Sequence, residues 1–480
     1  MIRTYQTEKA LTPKRKKYLL STFKGVNTTV AEEILPLSYS PKSYNFIFGK
    51  GVLDTGYGVD AAYVRTGEGS WQIKRRGISV KFLRFYRYTI HNLSVTVEKL
   101  VAYGDDGKLY DFTLNELYSG FTPIGSYGVV TDAVPYVYNG DDGLLVATTT
   151  GLYFLRESTM TRLTFSEIFT TMCVHGDRVF AVSKLDEYKL YFSDDFDPKN
   201  WAISMEEGGY ISFDTALGKL IKVVDFAGNV CLFFEHGVMK LTAYNLQTEF
   251  RLQKLYFSPG TIYRDTIAIC GDRIAFAATD GIFLFDGVSI SEILTEIEDL
   301  ISSDMSYAQG VYHGGKYYLA CRMEMDSLIT GANNSLIVYD LGKKTFEIAH
   351  DLAVLSMISL DLDTVRGVLT NVTYPLDYLG VIAPVGRIST TPLSKVWQSP
   401  ITSLGSHDGR KFLREMRIRA EGAGTLRLTM DGEEHTYSLA SGLNKVKVMR
   451  PFDRLQVTLT SNEAAARVTL VELTVDHYGE

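Results

Sequence analysis

Ile269-Cys270-Gly271-Asp272-Arg273-Ile274-Ala275-Phe276-Ala277-Ala278-Thr279-Asp280-Gly281-Ile282-Phe283-Leu284-Phe285 reads as strand, tight turn, strand, tight turn, strand. Gly and Asp supply the turns, and the short runs between them are apolar. The same order of residue types occurs at Val137 to Phe154, with one residue's difference between the glycines. The second glycine recurs at Gly107, Gly151, Gly237 and Gly281, at spacings of 44, 86 and 44, the middle one being two periods of 43. The first recurs at Gly228, Gly271 and Gly314 in steps of 43, preceded less regularly by Gly140 and Gly176. Val179-Phe180-Ala181-Val182, Ile274-Ala275-Phe276-Ala277 and Tyr317-Tyr318-Leu319-Ala320 each follow a Gly-Asp-Arg or Gly-Gly-Lys turn. A period of this length decides a fold.

One such unit is too small to be stable in water, so the units must pack face to face. Stacking about an axis leaves only short edges, and units of this size are propeller blades. The reading is therefore all-β: a β-propeller over 61–392 with room for seven blades, six being the alternative because the units near 85 and 370 are the least regular. From Leu393 the period gives way to strict alternation, as in Met416, Ile418, Ala420 and Leu426, Leu428, Met430, with Arg417, Arg419 and Arg427 between. That pattern predicts a small antiparallel β-sandwich over 393–480. Residues 1–60 show neither period and read as a basic arm with a few strands that closes the propeller ring or reaches a neighbour. Ile293, Leu294, Ile297, Leu300 and Ile301 after Ser289 to Glu292 predict one helix with a capping box.

The 480 residues are 45% hydrophobic and 22% charged, with 30 Tyr, 25 Phe, 41 Gly and 12 Pro, which excludes helix bundles and disordered chains. No apolar run approaches a membrane span, and residues 1–17 lack the apolar core of a secretory signal, so a soluble protein made in a cytoplasm is expected. Cys173, Cys231, Cys270 and Cys321 stand singly in apolar runs and read as buried thiols. The net charge of -7 is uneven: residues 1–100 hold 17 Lys and Arg against 7 Asp and Glu, leaving -17 for the rest.

No spacing typical of a nucleophile elbow, zinc protease, Walker loop, dinucleotide fold or EF-hand occurs, and no enzyme, cofactor or metal is expected. Gly104-Asp105-Asp106-Gly107 and Gly140-Asp141-Asp142-Gly143 read as turns, and Asp194, Asp195 and Asp197 as a capped loop in preference to a calcium site. The candidate binding residues, for nucleic acid or a partner, are Lys14, Arg15, Lys16 and Lys17 with Lys74, Arg75 and Arg76, followed by Lys81, Arg84 and Arg87. Tyr18, Trp71, Phe82, Phe85, Tyr86 and Tyr88 interleave with them as potential stacking rings or as strand residues.

Lys189-Leu190-Tyr191-Phe192-Ser193-Asp194-Asp195-Phe196-Asp197-Pro198-Lys199-Asn200-Trp201 resembles a segment of propeller-type virion proteins of tailed bacteriophages. Gly260-Thr261-Ile262 leading into Asp280 to Gly287 is similar to a blade those proteins carry. Phe23 to Asn27 followed by Gly49 to Gly58 resembles their N-terminal segment, and Trp397-Gln398-Ser399-Pro400 followed by Lys411-Phe412-Leu413 the start of their C-terminal sandwich. The resemblance spans most of the chain and points to tail-hub, or packaged-DNA stabilisation, proteins. It implies a non-enzymatic homo-oligomeric ring in the virion tail or neck, assembled in the host cytoplasm. Its partners would be portal or adaptor, needle, spike or fibre proteins, with contact to packaged DNA and none to membrane. The other expectations are a carbohydrate-binding or glycan-cleaving propeller acting in receptor recognition, and an intracellular scaffold.

Overall fold

The computed structural model describes residues 12–20, 22–49, 51–60, 63–65, 71–73, 80–91, 96–113, 122–163, 167–203, 208–244, 247–327, 329–330, 332–361, 366–374, 378–405 and 410–478. Among these, six four-stranded antiparallel sheets follow one another from Phe82 to His350, each built from consecutive strands. Their first strands are Phe82–His91, Val130–Tyr138, Phe169–His175, Leu220–Phe226, Ala268–Ile269 and Gln309–His313. A further six-stranded sheet begins at Ala353–Asp361.

The repeat glycines sit where the hairpins need them. Gly140, Gly176, Gly228, Gly271 and Gly314 join the first strand to the second, with φ of +85°, +58°, +71°, +70° and +56°. Only glycine adopts that region without steric penalty. The second strands that follow are buried on both faces: Val179 to Val182 and Ile274 to Ala278 are fully enclosed. Such strands cannot alternate, which is why they read as continuous apolar runs.

Each sheet packs on the next through one apolar cluster. Tyr88, Val101 and Tyr103 meet Leu144, Val146 and Leu155, and so on around the axis. The last cluster joins Phe82, Phe85, Leu100 and Ala102 of the first sheet to Leu360 and Leu369 of the last, closing the circle. The architecture is a β-propeller.

The N-terminal segment carries strands, as expected, and they are paired into the rest of the molecule. It forms β1 (Lys14–Leu20), β2 (Lys42–Tyr44), β3 (Phe46–Gly49), β4 (Val52–Thr55) and β5 (Gly58–Asp60). Strands β1 and β4 both pair with Arg467–Tyr478, and β2 pairs with Lys395–Gln398, all in the C-terminal region. By contrast β5 enters the last propeller sheet, antiparallel to Tyr378–Ala383 and parallel to Arg387–Ile388. The sheets therefore cross the expected division at 60, one segment serving both units, whereas among the described residues no sheet joins strands from 61–392 to strands from 393–480.

In the C-terminal region two sheets enclose one core. One contains β3, β4, Arg467–Tyr478, Arg410–Glu421 and Gly442–Phe452, with β1; the other contains β2, Lys395–Gln398, Leu455–Ser461, Gly424–Met430 and Glu433–Leu439. Their inner positions, among them Met416, Ile418, Leu426, Leu428, Leu459 and Leu473, are buried together with Phe46, Leu53 and Trp397.

The expected helix is a correction. Ile290–Ile293 is the fourth strand of its sheet, and only Thr295–Leu300 turns, as a 3-10 helix after Leu294 at φ +64°. No side chain caps it. Pairing of Ile290 to Ile293 with Ile282 to Phe285 satisfies the backbone that an α-helix would have needed.

Candidate functional site

Period-2 alternation places every second residue of a strand on one face. In β1 this puts Arg15, Lys17 and Leu19 outward, while Tyr18 and Leu20 turn to the core. Tyr18 donates its hydroxyl to the Leu404 carbonyl (2.6 Å) and lies 3.0 Å from His477 Nε2. Lys14 is exposed, and Lys16 is half-buried on the opposite side from Arg15. Lys74, Arg75 and Arg76 lie outside the described residues.

The register carries the outward face across four strands. Leu19 stands beside Glu472, Glu472 beside Arg417, and Arg417 beside Lys445; the next row runs Lys17, Thr474, Glu415, Lys447. Arg419 and Leu443 extend one end, and Arg15, Asp476 and Arg414 the other. Seven cations thus share a face with three carboxylates, a local balance of +4 on a chain of net charge -7.

The carboxylates hold part of this charge in place. Arg15 Nε donates to Asp476 Oδ1 at 2.8 Å, and Arg414 pairs with the same buried carboxylate. Hydrogen bonding from Arg15 outweighs burial and keeps Asp476 below the usual carboxylate range. Lys17 reaches Glu472 at 3.2 Å and Arg417 reaches Glu415 at 2.6 Å. Arg419, Lys445 and Lys447 have no carboxylate within 4.0 Å among the described residues. Only the β1 end of this face was legible as a basic run; Arg414, Arg417, Arg419, Lys445 and Lys447 come from two other strands.

The rings expected to stack are elsewhere. Phe82, Phe85 and Tyr88 are buried between propeller sheets. Arg84 points to the propeller axis, donating to the Thr131 carbonyl at 3.0 Å, as does Arg264. There Asp132, nearly buried, lies 3.6 Å from Lys222 and 3.5 Å from Arg264, while Arg84 approaches Asp265 at 3.5 Å. Burial opposes the charge of Asp132, yet Lys222, Arg264 and the Met172 N–H together hold its carboxyl below the usual range. This cluster ties the beginnings of four sheets together and neutralises itself almost completely.

A groove of about 810 Å³ opens where the first hairpins of three sheets meet, with Tyr88, Tyr136, Phe196, Glu98, Asp142 and Asp177 on its walls. Asp142 is held by the His91 N–H (2.7 Å), and Glu98 accepts from Thr89 (3.1 Å). Asp194 and Asp197 cap their own loop, accepting from the N–H groups of Asp195 and Lys199. All four cysteines are buried and free, and burial pushes the thiols of Cys231, Cys270 and Cys321 up to about 12. No helix among the described residues is long and apolar enough to cross a membrane.

No family model and no curated protein matches the chain. Among solved structures, BBS1N in complex with ARL6DN, soaked with lead, overlaps 70% of this chain and 100% of its own at 10% identity and a TM-score of 0.43. The mercury-soaked form of that complex gives 68% and 97%, at 9% identity and 0.44. KlHsv2 with loop 6CD replaced by a Gly-Ser linker gives 57% and 98%, at 8% identity and 0.35. Overlaps this loose carry no argument about this chain.

Proposed function

We propose that the chain is a non-enzymatic structural subunit of a tailed-phage virion, a tail or head-to-tail hub component that docks into a ring and anchors other tail proteins. We count seven blades in its propeller and read the C-terminal pair of sheets as a β-sandwich. The observation that favours a bracket is the N-terminal segment: within 47 residues, β1 to β5 add strands to both C-terminal sheets and to the last propeller sheet. Two units that both take strands from one short segment transmit load without a hinge, which suits a part that holds others in place.

The test is mass spectrometry of purified particles from the host that encodes the chain. Peptides from it at a fixed ratio to the portal protein are expected. Their absence from intact particles would remove the reading.

The groove favours a second reading, a glycan-binding or glycan-cleaving propeller, because it combines rings with carboxylates. It ranks second since Glu98 and Asp142 are already engaged by Thr89 and His91.

A further inference from the structure

We propose that the outward face of the C-terminal sheet, built from β1 and the strands Arg467–Tyr478, Arg410–Glu421 and Gly442–Phe452, binds the phosphate backbone of double-stranded nucleic acid without regard to sequence. The proposal does not depend on the virion reading. It rests on three observations.

First, the charge is segregated. A chain of net charge -7 is not drawn to polyanions as a whole, so a +4 face within it is a local device. Second, the cations are spaced for a repeating partner. Neighbouring strands lie about 4.8 Å apart and alternate residues about 6.7 Å apart, so Lys17, Arg417, Arg419, Lys445 and Lys447 form a two-dimensional array, not a point site. A duplex offers a matching array, with phosphates every 3.4 Å of rise on each strand. Third, the face has the wrong composition for the core of a protein interface. Such cores are depleted in charge and enriched in aromatic residues. Here the two central rows hold charged residues and Thr474, with Leu19 at one end; Leu470 and Leu443 flank Arg419 in the row beyond, and Phe412 and Pro451 continue the row of Arg15 and Asp476, so that the nearest rings, Phe412 and Tyr478, stand at one margin. Without rings among the cations, bases of a single strand have nothing to stack on, which favours a duplex.

Glu415 and Glu472 lie within the array. They fix Arg417 and Lys17 and leave Arg419, Lys445 and Lys447 to meet phosphate.

The test uses the full chain and a labelled duplex of mixed sequence, about 30 base pairs long, with anisotropy read between about 50 and 200 mM salt. The expected result is binding that weakens steeply with salt. The R419E/K445E/K447E variant should lose at least about tenfold in affinity, with a log–log salt slope lower by roughly three units. The R419K/K445R/K447R variant should retain binding. Both variants should melt with the wild type, since the three positions are exposed. The proposal fails if the wild type does not bind, or if charge reversal leaves affinity and slope unchanged. It also fails if polyglutamate displaces the label as well as unlabelled duplex does, which would make the face a receptor for acidic protein.

Discussion

Two buried polar residues stand where the propeller meets the C-terminal region, Asn45 bridging the two and Lys395 bonded within the C-terminal region, and each has a distinct physical signature. Asn45, fully buried at φ +61°, donates to the carbonyls of Ser394 (2.6 Å) and His350 (3.2 Å) and accepts from the His350 N–H (2.8 Å). Its amide thereby satisfies backbone groups from the last strand of one blade and from the connection to the C-terminal sheets. Lys395 is buried next to it in the chain's path, with Nζ donating to the Glu463 carbonyl at 2.6 Å. Burial, opposed only partly by Glu463, lowers its amine to about 8. Between there and the ordinary value of 10.5 the unfolded chain keeps a proton that the folded chain has lost, so this residue makes stability rise with pH across that window. Comparison of the wild type with Lys395→Met by urea unfolding should show the wild type gaining on the variant by about 2 kcal/mol from pH 7.5 to pH 10. A constant difference would mean that the amine is hydrated in the folded chain.

At the scale of elements, the repeating hairpins were readable because their turns demand glycine at positive φ and their second strands are buried on both faces. Both features leave marks within about 15 residues of sequence. The contribution of β5 leaves none. It is three residues long, and Val59 at its centre is fully buried against strands more than 300 residues away. The cationic face was readable as a basic run only at its β1 end: alternation showed Arg417 and Arg419 facing outward, but nothing local joins them, or Lys445 and Lys447 on another strand, to β1 at the opposite end of the chain. The helix was misread because Ile293, Leu294 and Ile297 have helical spacing and yet are the close of a strand, a left-handed residue and a 3-10 turn. Since β5 lies between Tyr378–Ala383 and Arg387–Ile388, a charge at Val59 would be forced into the apolar cluster between the sixth and last sheets that contains Tyr318, Val338 and Val372. Val59→Asp should lower stability by at least about 3 kcal/mol, and hydrogen exchange should quicken first in residues 366–383. Exchange that quickens evenly over all the sheets would deny β5 a special place in closure.

For the molecule as a whole, the donation of strands to both units by the one segment 14–60 predicts that the two do not unfold separately. Full-length chain should give one calorimetric transition, whereas residues 393–480 alone should lack a cooperative transition until a peptide spanning 12–55 is added. A sharp transition for the isolated piece would show that β1 to β4 are ornaments on a self-sufficient domain. The position of β5 also has a consequence for biosynthesis. Although β5 is among the first strands to leave the ribosome, it must wait until residue 388 has emerged before its slot exists, so the last propeller sheet is completed only late in translation. A prematurely terminated polypeptide keeps its gap open and its opening segment unplaced. In the ring proposed above, this would act as a completeness check: an unfinished copy would lack the shape that its neighbours accept.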